Sequence, residues 1–167
     1  EDLDVSIRNF FSQDLDPQLE NIIQRLKAEP RDVSLDELRT ANHFNDAPII
    51  QVIDAALKKA VRHKASDVHL EPRDNETRIR FRIDGLLNTA FAIPKVHHPA
   101  LISRVKIMGG MDIAEKRIPQ DGRFSMQIDQ RRVDFRASTM PVAGGEKAVL
   151  RILDPGNTLT AIGELGL

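Results

Sequence analysis

Residues 78–85 read RIRFRIDG, and this alternation of charged and apolar side chains restricts the fold more than any other feature. Successive side chains of a β-strand point to opposite faces, so a strand here separates arginine from isoleucine and phenylalanine. The apolar side can enter a core, while the other side presents guanidinium groups, which are permanently charged and suit carboxylates and phosphates. We call Arg78, Arg80 and Arg82 the arginine ladder. The ladder predicts a sheet with one apolar and one cationic face.

The remaining pattern predicts an α+β fold, an antiparallel sheet of about six strands with helices packed on it, preceded by a helical linker or arm. Short turns such as Gly85 and Asp129-Gln130 join strands, and helices stand between groups of strands. A helix beginning at Pro48 and a helix over 99–108 are expected to cover the sheet. The predicted strands are 66–72, 77–84, 86–93, 122–128, 131–139 and 147–153.

We expect residues 1–45 to form an acidic, partly helical linker or arm, and residues 46–167 to form the α+β domain. Asp16 reads as an N-cap before Pro17 at the first helical position, and Ser34 with Glu37 reads as a capping box. The arm is too small to hold a core of its own. We therefore expect it to dock onto a neighbour.

Charge is distributed unevenly along a chain whose formal net charge is −1. Residues 1–76 carry −6, from 10 Lys+Arg and 16 Asp+Glu, and residues 77–154 carry +6, from 14 Lys+Arg and 8 Asp+Glu. The basic sheet can meet an anion or an acidic partner, or the two charge sets can face each other within the fold. No cysteine is present, which excludes disulfides and thiolate metal sites.

Several chemistries find little support in the sequence. The chain lacks the Gly-x-x-x-x-Gly-Lys-Ser/Thr motif, so it is not expected to hydrolyse a nucleotide unaided. Asp67, His69 and Glu71 share one face of a strand and could bind a metal, but a hydrogen-bonded polar face is the more ordinary interpretation and we predict no metal site. A reader of single-stranded nucleic acid needs exposed aromatic side chains, and Trp and Tyr are absent.

A set of motifs carries a resemblance to a known family. They occur in order as ASDVHLEP at 65–72, RFRIDGLL at 80–87, MDIAEKRIPQDGR at 111–123, VDFRASTMP at 133–141, GEK at 145–147 and LRILD at 150–154. Together they resemble the N-terminal N2 domain of the type II secretion and type IV pilus assembly ATPases, the general secretion pathway protein E family. The resemblance covers about residues 46–167.

The resemblance implies a non-catalytic domain followed by a P-loop domain in a hexameric, cytoplasmic motor peripheral to the inner membrane. ATP and Mg²⁺ would belong to the complete protein, and this fragment would bind neither firmly. It implies that Arg136 and Arg151 reach the phosphates of ATP, with Arg117 and Arg123 as secondary candidates. For each of the first two, the alternative is an ion pair with Asp134 or Asp154.

The resemblance further implies that the arginine ladder contacts an adjacent P-loop domain or subunit. Expected partners are that P-loop domain, neighbouring subunits and inner-membrane secretion or pilus components, and no nucleic acid. A self-standing binding module for nucleic acid or an anionic dinucleotide is the alternative function. A third possibility is that the acidic arm recruits a membrane-anchored component. The motifs leave the secretion and pilus branches equally open.

Overall fold

A six-stranded antiparallel sheet lies at the centre of the computed structural model, which describes residues 16–28, 35–40 and 47–153. The strand order is β3-β2-β1-β6-β5-β4, so two three-stranded meanders meet where β1 pairs with β6. The strands are β1 Asp67–Pro72, β2 Glu76–Ile83, β3 Leu86–Pro94, β4 Gln120–Ile128, β5 Arg131–Val142 and β6 Gly145–Leu153. The α+β class and the antiparallel sheet predicted from the sequence are confirmed.

Helices cover one face of this sheet. The apolar sides of the strands, including Phe81, Phe135 and Leu150, are buried together with Ile53 and Leu57 of a helix, in one core. Burying such side chains is the main favourable term in folding. The helices are α1 Pro17–Ala28, α2 Leu35–Thr40, α3 Pro48–Arg62 and α4 His98–Met108, the last preceded by a 3-10 turn at Lys95–His97.

Two tight hairpins fix the register of both meanders. Asp84 and Gly85 have φ of 51° and 78°, and Asp129 and Gln130 have φ of 50° and 66°. Positive φ at both central residues is the backbone of a type I′ turn, whose twist matches that of the flanking strands. Both turns predicted from the sequence are confirmed, so every side chain of β2 and β5 is committed to one face.

Helix α1, which precedes the sheet in the chain, packs into the same core as the sheet. The Asp16 carboxylate accepts a hydrogen bond from the Gln18 N–H at 3.1 Å, which confirms the predicted N-cap. Leu19, Ile23 and Leu26 are buried in the common core. The capping box predicted for Ser34 and Glu37 concerns side chains outside those that the structure describes.

Element boundaries differ from the predictions by a few residues. The β5–β6 hairpin extends to Val142 and Gly145, beyond the predicted ends at 139 and 147. The extension pairs backbone groups beyond the buried part of β5, so alternation of polarity did not reveal it. Within the described ranges, no helix has the length and apolar character needed to cross a bilayer.

Candidate functional site

The face of the sheet opposite the helices carries the charged residues singled out in the sequence. Directly opposed residues of antiparallel strands share a face, and one such row crosses five strands. The row runs Arg82, Asp67, Arg151, Arg136 and Arg123, from β2 through β1, β6 and β5 to β4. We call it the arginine row. With four arginines and one aspartate, it carries a formal charge of +3.

Arg151 and Arg136, the two residues expected at a phosphate, are immediate neighbours in this row. The Arg151 side chain is 66% exposed and donates from Nε to Asp67 Oδ1 at 3.2 Å. The Arg136 side chain is 52% exposed, and its Nη2 lies 4.0 Å from Asp121 Oδ1, at the outer limit of an ion pair. Among the described residues, their acidic neighbours are therefore Asp67 and Asp121 and not Asp134, which pairs with Arg132. The other predicted partner, Asp154, lies outside the described residues.

Arg123 extends the arginine run by one strand. It is exposed and directly opposes Arg136, which directly opposes Arg151. The Cα atoms of opposed residues are about 4.5–5.5 Å apart, and like charges in that position are destabilising. Three adjacent strands thus place arginine beside arginine at a cost in stability that a bound anion would relieve.

The arginine ladder lies on the same face but has acceptors within the chain. Arg80 Nη1 lies 3.5 Å from Glu71 Oε2. Arg78 Nη2 donates a hydrogen bond to Glu76 Oε1 at 3.0 Å. Arg82 donates to the Gly85 carbonyl at 3.0 Å from Nη1. The ladder arginines are half-buried and therefore held in defined positions.

Glu71 and Asp67 show that the two charge sets partly face each other within the fold. Glu71 is nearly buried and has Arg80, Lys147 and the exposed Arg73 within 4.0 Å. Asp67 forms ion pairs with Arg82 and Arg151. The interpretation in which the two charge sets face each other is therefore confirmed for part of the face, where Asp67 and Glu71 neutralise arginines and a lysine. The arginine row keeps a positive excess, and its contact with an anion or an acidic partner stays a prediction.

Arg117 is not part of the row. It lies in the loop between α4 and β4, it is 88% exposed, and it donates from Nε and Nη2 to the two oxygens of Glu115 at 3.3 Å. The hydrogen bond from the Arg117 side chain lowers the pKa of the Glu115 carboxyl. In this structure the Arg117 guanidinium and the Glu115 carboxylate therefore neutralise each other.

The strand of Asp67, His69 and Glu71 has the predicted shared face, but its carboxylates are engaged by cations. Over residues 16–28, 35–40 and 47–153, no three His, Asp or Glu side chains are grouped to hold a metal ion. Burial, followed by the nearby Lys147 charge, lowers the pKa of His69, whose ring is therefore neutral near pH 7. On this face the Nδ1 atom of the His69 ring lies 3.9 Å from Glu71 Oε1.

Comparison with known proteins agrees with the motifs. The model of the type II/IV secretion system protein family matches residues 42–167. The chain belongs to this family. The putative type II secretion system protein E of Escherichia coli K12 is 47% identical over 126 residues, covering 75% of this chain and 26% of that protein. The type II secretion system protein E of Aeromonas hydrophila is 48% identical over 123 residues, covering 74% and 25%.

The chain spans about a quarter of the length of these family members. The chain also covers about a quarter of the type II secretion system ATPase E of Vibrio cholerae. The two are 47% identical over 123 residues, which cover 74% of this chain and 24% of that protein. Among solved structures, the ATPase DotB of Legionella pneumophila covers 70% of this chain and 31% of that chain, with 16% identity and a TM-score of 0.42. That likeness is too weak to carry an argument.

For this member of the type II/IV secretion system protein family, sequence reasoning missed the row itself. Alternation places Arg82, Arg136 and Arg151 each on a strand face, but it does not say which strands are neighbours. Only the pairing of β1 with β6 brings Arg82 and Arg151 to opposite sides of Asp67. The motif ASDVHLEP contains Asp67, but from the sequence this residue was considered only as a possible metal ligand.

Proposed function

We propose that this chain is the regulatory and interface domain of a hexameric traffic ATPase that drives secretion or pilus assembly. In this proposal a P-loop domain elsewhere in the complete protein holds ATP and Mg²⁺, and Arg136 and Arg151 contact the phosphates. This chain holds neither ATP nor Mg²⁺ firmly by itself. The proposal places the protein at the cytoplasmic side of the inner membrane, in contact with membrane components of the machinery.

The observation that carries the proposal is the run of Arg123, Arg136 and Arg151 on adjacent strands. Each guanidinium adds a fixed positive charge and can donate two parallel hydrogen bonds to phosphate oxygens. Arg136 and Arg151 are more than half exposed, so a docked nucleotide can reach them without unfolding the sheet. Membership of the type II/IV secretion system protein family supports the coarser part of the proposal, that the chain is a domain of a secretion ATPase.

The chemistry needed from these arginines is electrostatic. A phosphoryl group in transfer carries charge spread over its equatorial oxygens, and preorganised cations stabilise that charge without reorganising during the reaction. Rigid strands suit this task better than loops. Arg123 is a secondary contact on the same row, whereas Arg117 would have to leave Glu115 before it could contribute.

The ladder suits contact with a P-loop domain of the same or a neighbouring subunit. Arg78, Arg80 and Arg82 present a charged, half-buried surface rather than an apolar one. Polar interfaces within a protein are compatible with repeated domain movement. In the proposal, ATP-driven motion of the P-loop domain is passed through this surface towards the membrane machinery.

The phosphate role is tested by replacing Arg136 and Arg151 separately with alanine in the complete protein. We expect turnover to fall by roughly 10²- to 10³-fold in each variant, because an arginine at a phosphoryl-transfer transition state contributes on this scale or above. Arg132→Ala is the matched control, since Arg132 lies on the same face of β5 and pairs with Asp134. Normal turnover in both test variants would remove the phosphate role.

A binding module for nucleic acid or an anionic dinucleotide is the competing function. The described phenylalanines on β2, β4 and β5 lie on the helix side of the sheet, at Phe81, Phe124 and Phe135. Over the described residues of these three strands, the charged face therefore offers cations without phenylalanine rings for base stacking. Titrating the chain with single-stranded DNA and with a cyclic dinucleotide over a range of salt separates the functions. Tight binding with a steep salt dependence favours the competitor.

A further inference from the structure

Asp67 is the one acid in the arginine row, and it contacts an arginine on each side. Its side chain is 8% exposed. Oδ2 accepts a hydrogen bond from the Ser66 hydroxyl at 2.8 Å and lies 3.6 Å from Arg82 Nε, while Oδ1 accepts from Arg151 Nε at 3.2 Å. The carboxylate is therefore fixed by three neighbours before any ligand arrives.

The contact with Arg151 involves Nε, and no described partner is bound to its two terminal nitrogens. A guanidinium has five N–H donors in a planar fork, so a carboxylate on the Nε side leaves the terminal donors directed elsewhere. Because the Arg151 side chain is 66% exposed, those donors reach solvent. We propose that Asp67 is a positioning residue that orients Arg151 so that its terminal nitrogens face an incoming phosphate. The inference rests on the proposed function.

One carboxylate shared by two arginines also links the two parts of the charged face. Arg82 belongs to the ladder, which we place at a domain interface, and Arg151 belongs to the phosphate contact. When Arg82 moves away from Asp67, the carboxylate keeps the Ser66 hydroxyl and has Arg151 as its remaining cation in the row. A nearly buried acid depends strongly on its remaining cation, so the contact with Arg151 becomes tighter. Docking at the ladder is in this way coupled to the orientation of Arg151.

The first test measures the orientation in the chain itself, without ATP. The Arg151 Nε–H signal in a ¹H–¹⁵N spectrum is identified by its loss in Arg151→Ala. We expect Asp67→Ala to broaden or remove this signal through exchange with water, while the backbone amide spectrum stays native. The variant should fold because Arg82 and Arg151 are partly exposed and can be rehydrated. Should it fail to fold, Arg82→Gln is measured instead and should sharpen the signal. An unchanged Arg151 signal overturns the inference.

The second test measures kcat and KM of the complete protein. We expect Asp67→Ala to lower kcat by roughly 10- to 100-fold with little change in KM, because misorienting a group at the transition state has effects of this size. Combined with Arg151→Ala, it should cause no further loss. Asp134→Ala is the matched control and should leave kcat unchanged, since Asp134 Oδ1 accepts a hydrogen bond from Arg132 Nε at 3.3 Å on the same face.

The outcomes separate the two proposals. Normal turnover of Arg151→Ala removes the phosphate contact of Arg151, and the Nε signal then still decides whether Asp67 orients the side chain. A large effect of Arg151→Ala with a fully additive Asp67→Ala effect keeps the phosphate role and overturns the positioning role. Equal losses in the Asp67 and Asp134 variants also overturn it.

Discussion

Lys106 of α4 and Glu146 of β6 form an ion pair in the protein interior, with Nζ 2.7 Å from Oε1. The Lys106 side chain is 1% exposed. Its Nζ also donates to the Glu115 carbonyl at 2.6 Å, so the same ammonium holds the loop before β4. The Glu146 carbonyl in turn lies 2.6 Å from His98 Nε2. Helix, loop and strand are thus joined through one charged contact.

Replacing Lys106 with methionine should destabilise the domain strongly. The substitution keeps most of the buried volume but leaves Glu146 as an uncompensated buried charge. We expect the free energy of unfolding to fall by about 3–5 kcal/mol, the usual cost of removing one member of a buried pair. Urea denaturation followed by circular dichroism measures the change.

The double variant Lys106→Met/Glu146→Leu is the control for this prediction. It removes both charges, and buried pairs replaced by apolar side chains of similar volume are often tolerated. Its stability should therefore exceed that of Lys106→Met alone. A double variant as unstable as the single one would show that the contact to the Glu115 carbonyl, and not the ion pair, dominates.

Gly122 provides a second prediction, because its Cα lies against the backbone of Gly109. A Cβ at position 122 would overlap the Gly109 carbonyl, which belongs to rigid backbone at the end of α4. Gly122→Ala should cost about 1–3 kcal/mol, as overpacking of a filled site does. Under the proposed function it should also reduce ATP turnover of the complete protein, since Gly122 stands between Asp121 and Arg123 of the charged face. Thermal unfolding measures the first effect.

Gly109→Ala is the matched variant on the other side of the same contact. Its added methyl meets the Met111 side chain end at 3.1 Å, and a flexible methionine can move aside. It should therefore be the milder substitution. Equal losses for the two glycines would contradict the backbone overlap as the cause.

These contacts mark the limit of what the sequence could predict. Alternation in residues 78–83 depends on neighbours two positions apart, so it correctly predicted the burial of Ile79 and Phe81 and the charged side of the ladder. The turns at Gly85 and Asp129-Gln130 are local in the same sense. Strand alternation and turn formation depend on residues a few positions apart, so the sequence was sufficient to predict these features.

The arginine row and the buried lysine are not local. Asp67 and Arg151 are 84 positions apart, and Lys106 and Glu146 are 40 apart. Pairing of β1 with β6 is decided by burial of the whole apolar face, which no spacing of charges reveals. Lys106 reads in the sequence as an ordinary basic residue in the last turn of α4. The sequence therefore supplied candidate arginines but not their arrangement.

The last prediction concerns His98, which is buried between a hydroxyl and a carbonyl. Its Nε2 lies 2.6 Å from the Glu146 carbonyl, which can only accept, so Nε2 carries the proton. Nδ1 then accepts from the Thr77 hydroxyl at 2.8 Å. Burial lowers the pKa of His98, with a smaller contribution from Lys95 in the same direction. The folded protein therefore holds this ring neutral.

A depressed histidine pKa makes folding weaker in mild acid. The unfolded chain takes up the proton near the ordinary histidine pKa of about 6.5, before the folded protein does, so the free energy of unfolding falls as pH drops below that value. His69 has a lowered pKa and acts in the same direction. Glu115, Asp129 and Asp134 also have lowered pKa values, but their contribution is lost only below about pH 4.

Urea midpoints at about pH 7.5 and about pH 5.5 bracket the histidine window. We expect the wild-type midpoint to be lower at the acid pH, and His98→Gln to reduce the difference, because glutamine can make similar hydrogen bonds and does not titrate. The double variant His69→Gln/His98→Gln should reduce it further. A double variant with the full wild-type difference would show that the acid sensitivity arises elsewhere. Since neither ring belongs to the arginine row, the variants test the folding of the domain separately from its proposed contact with phosphate.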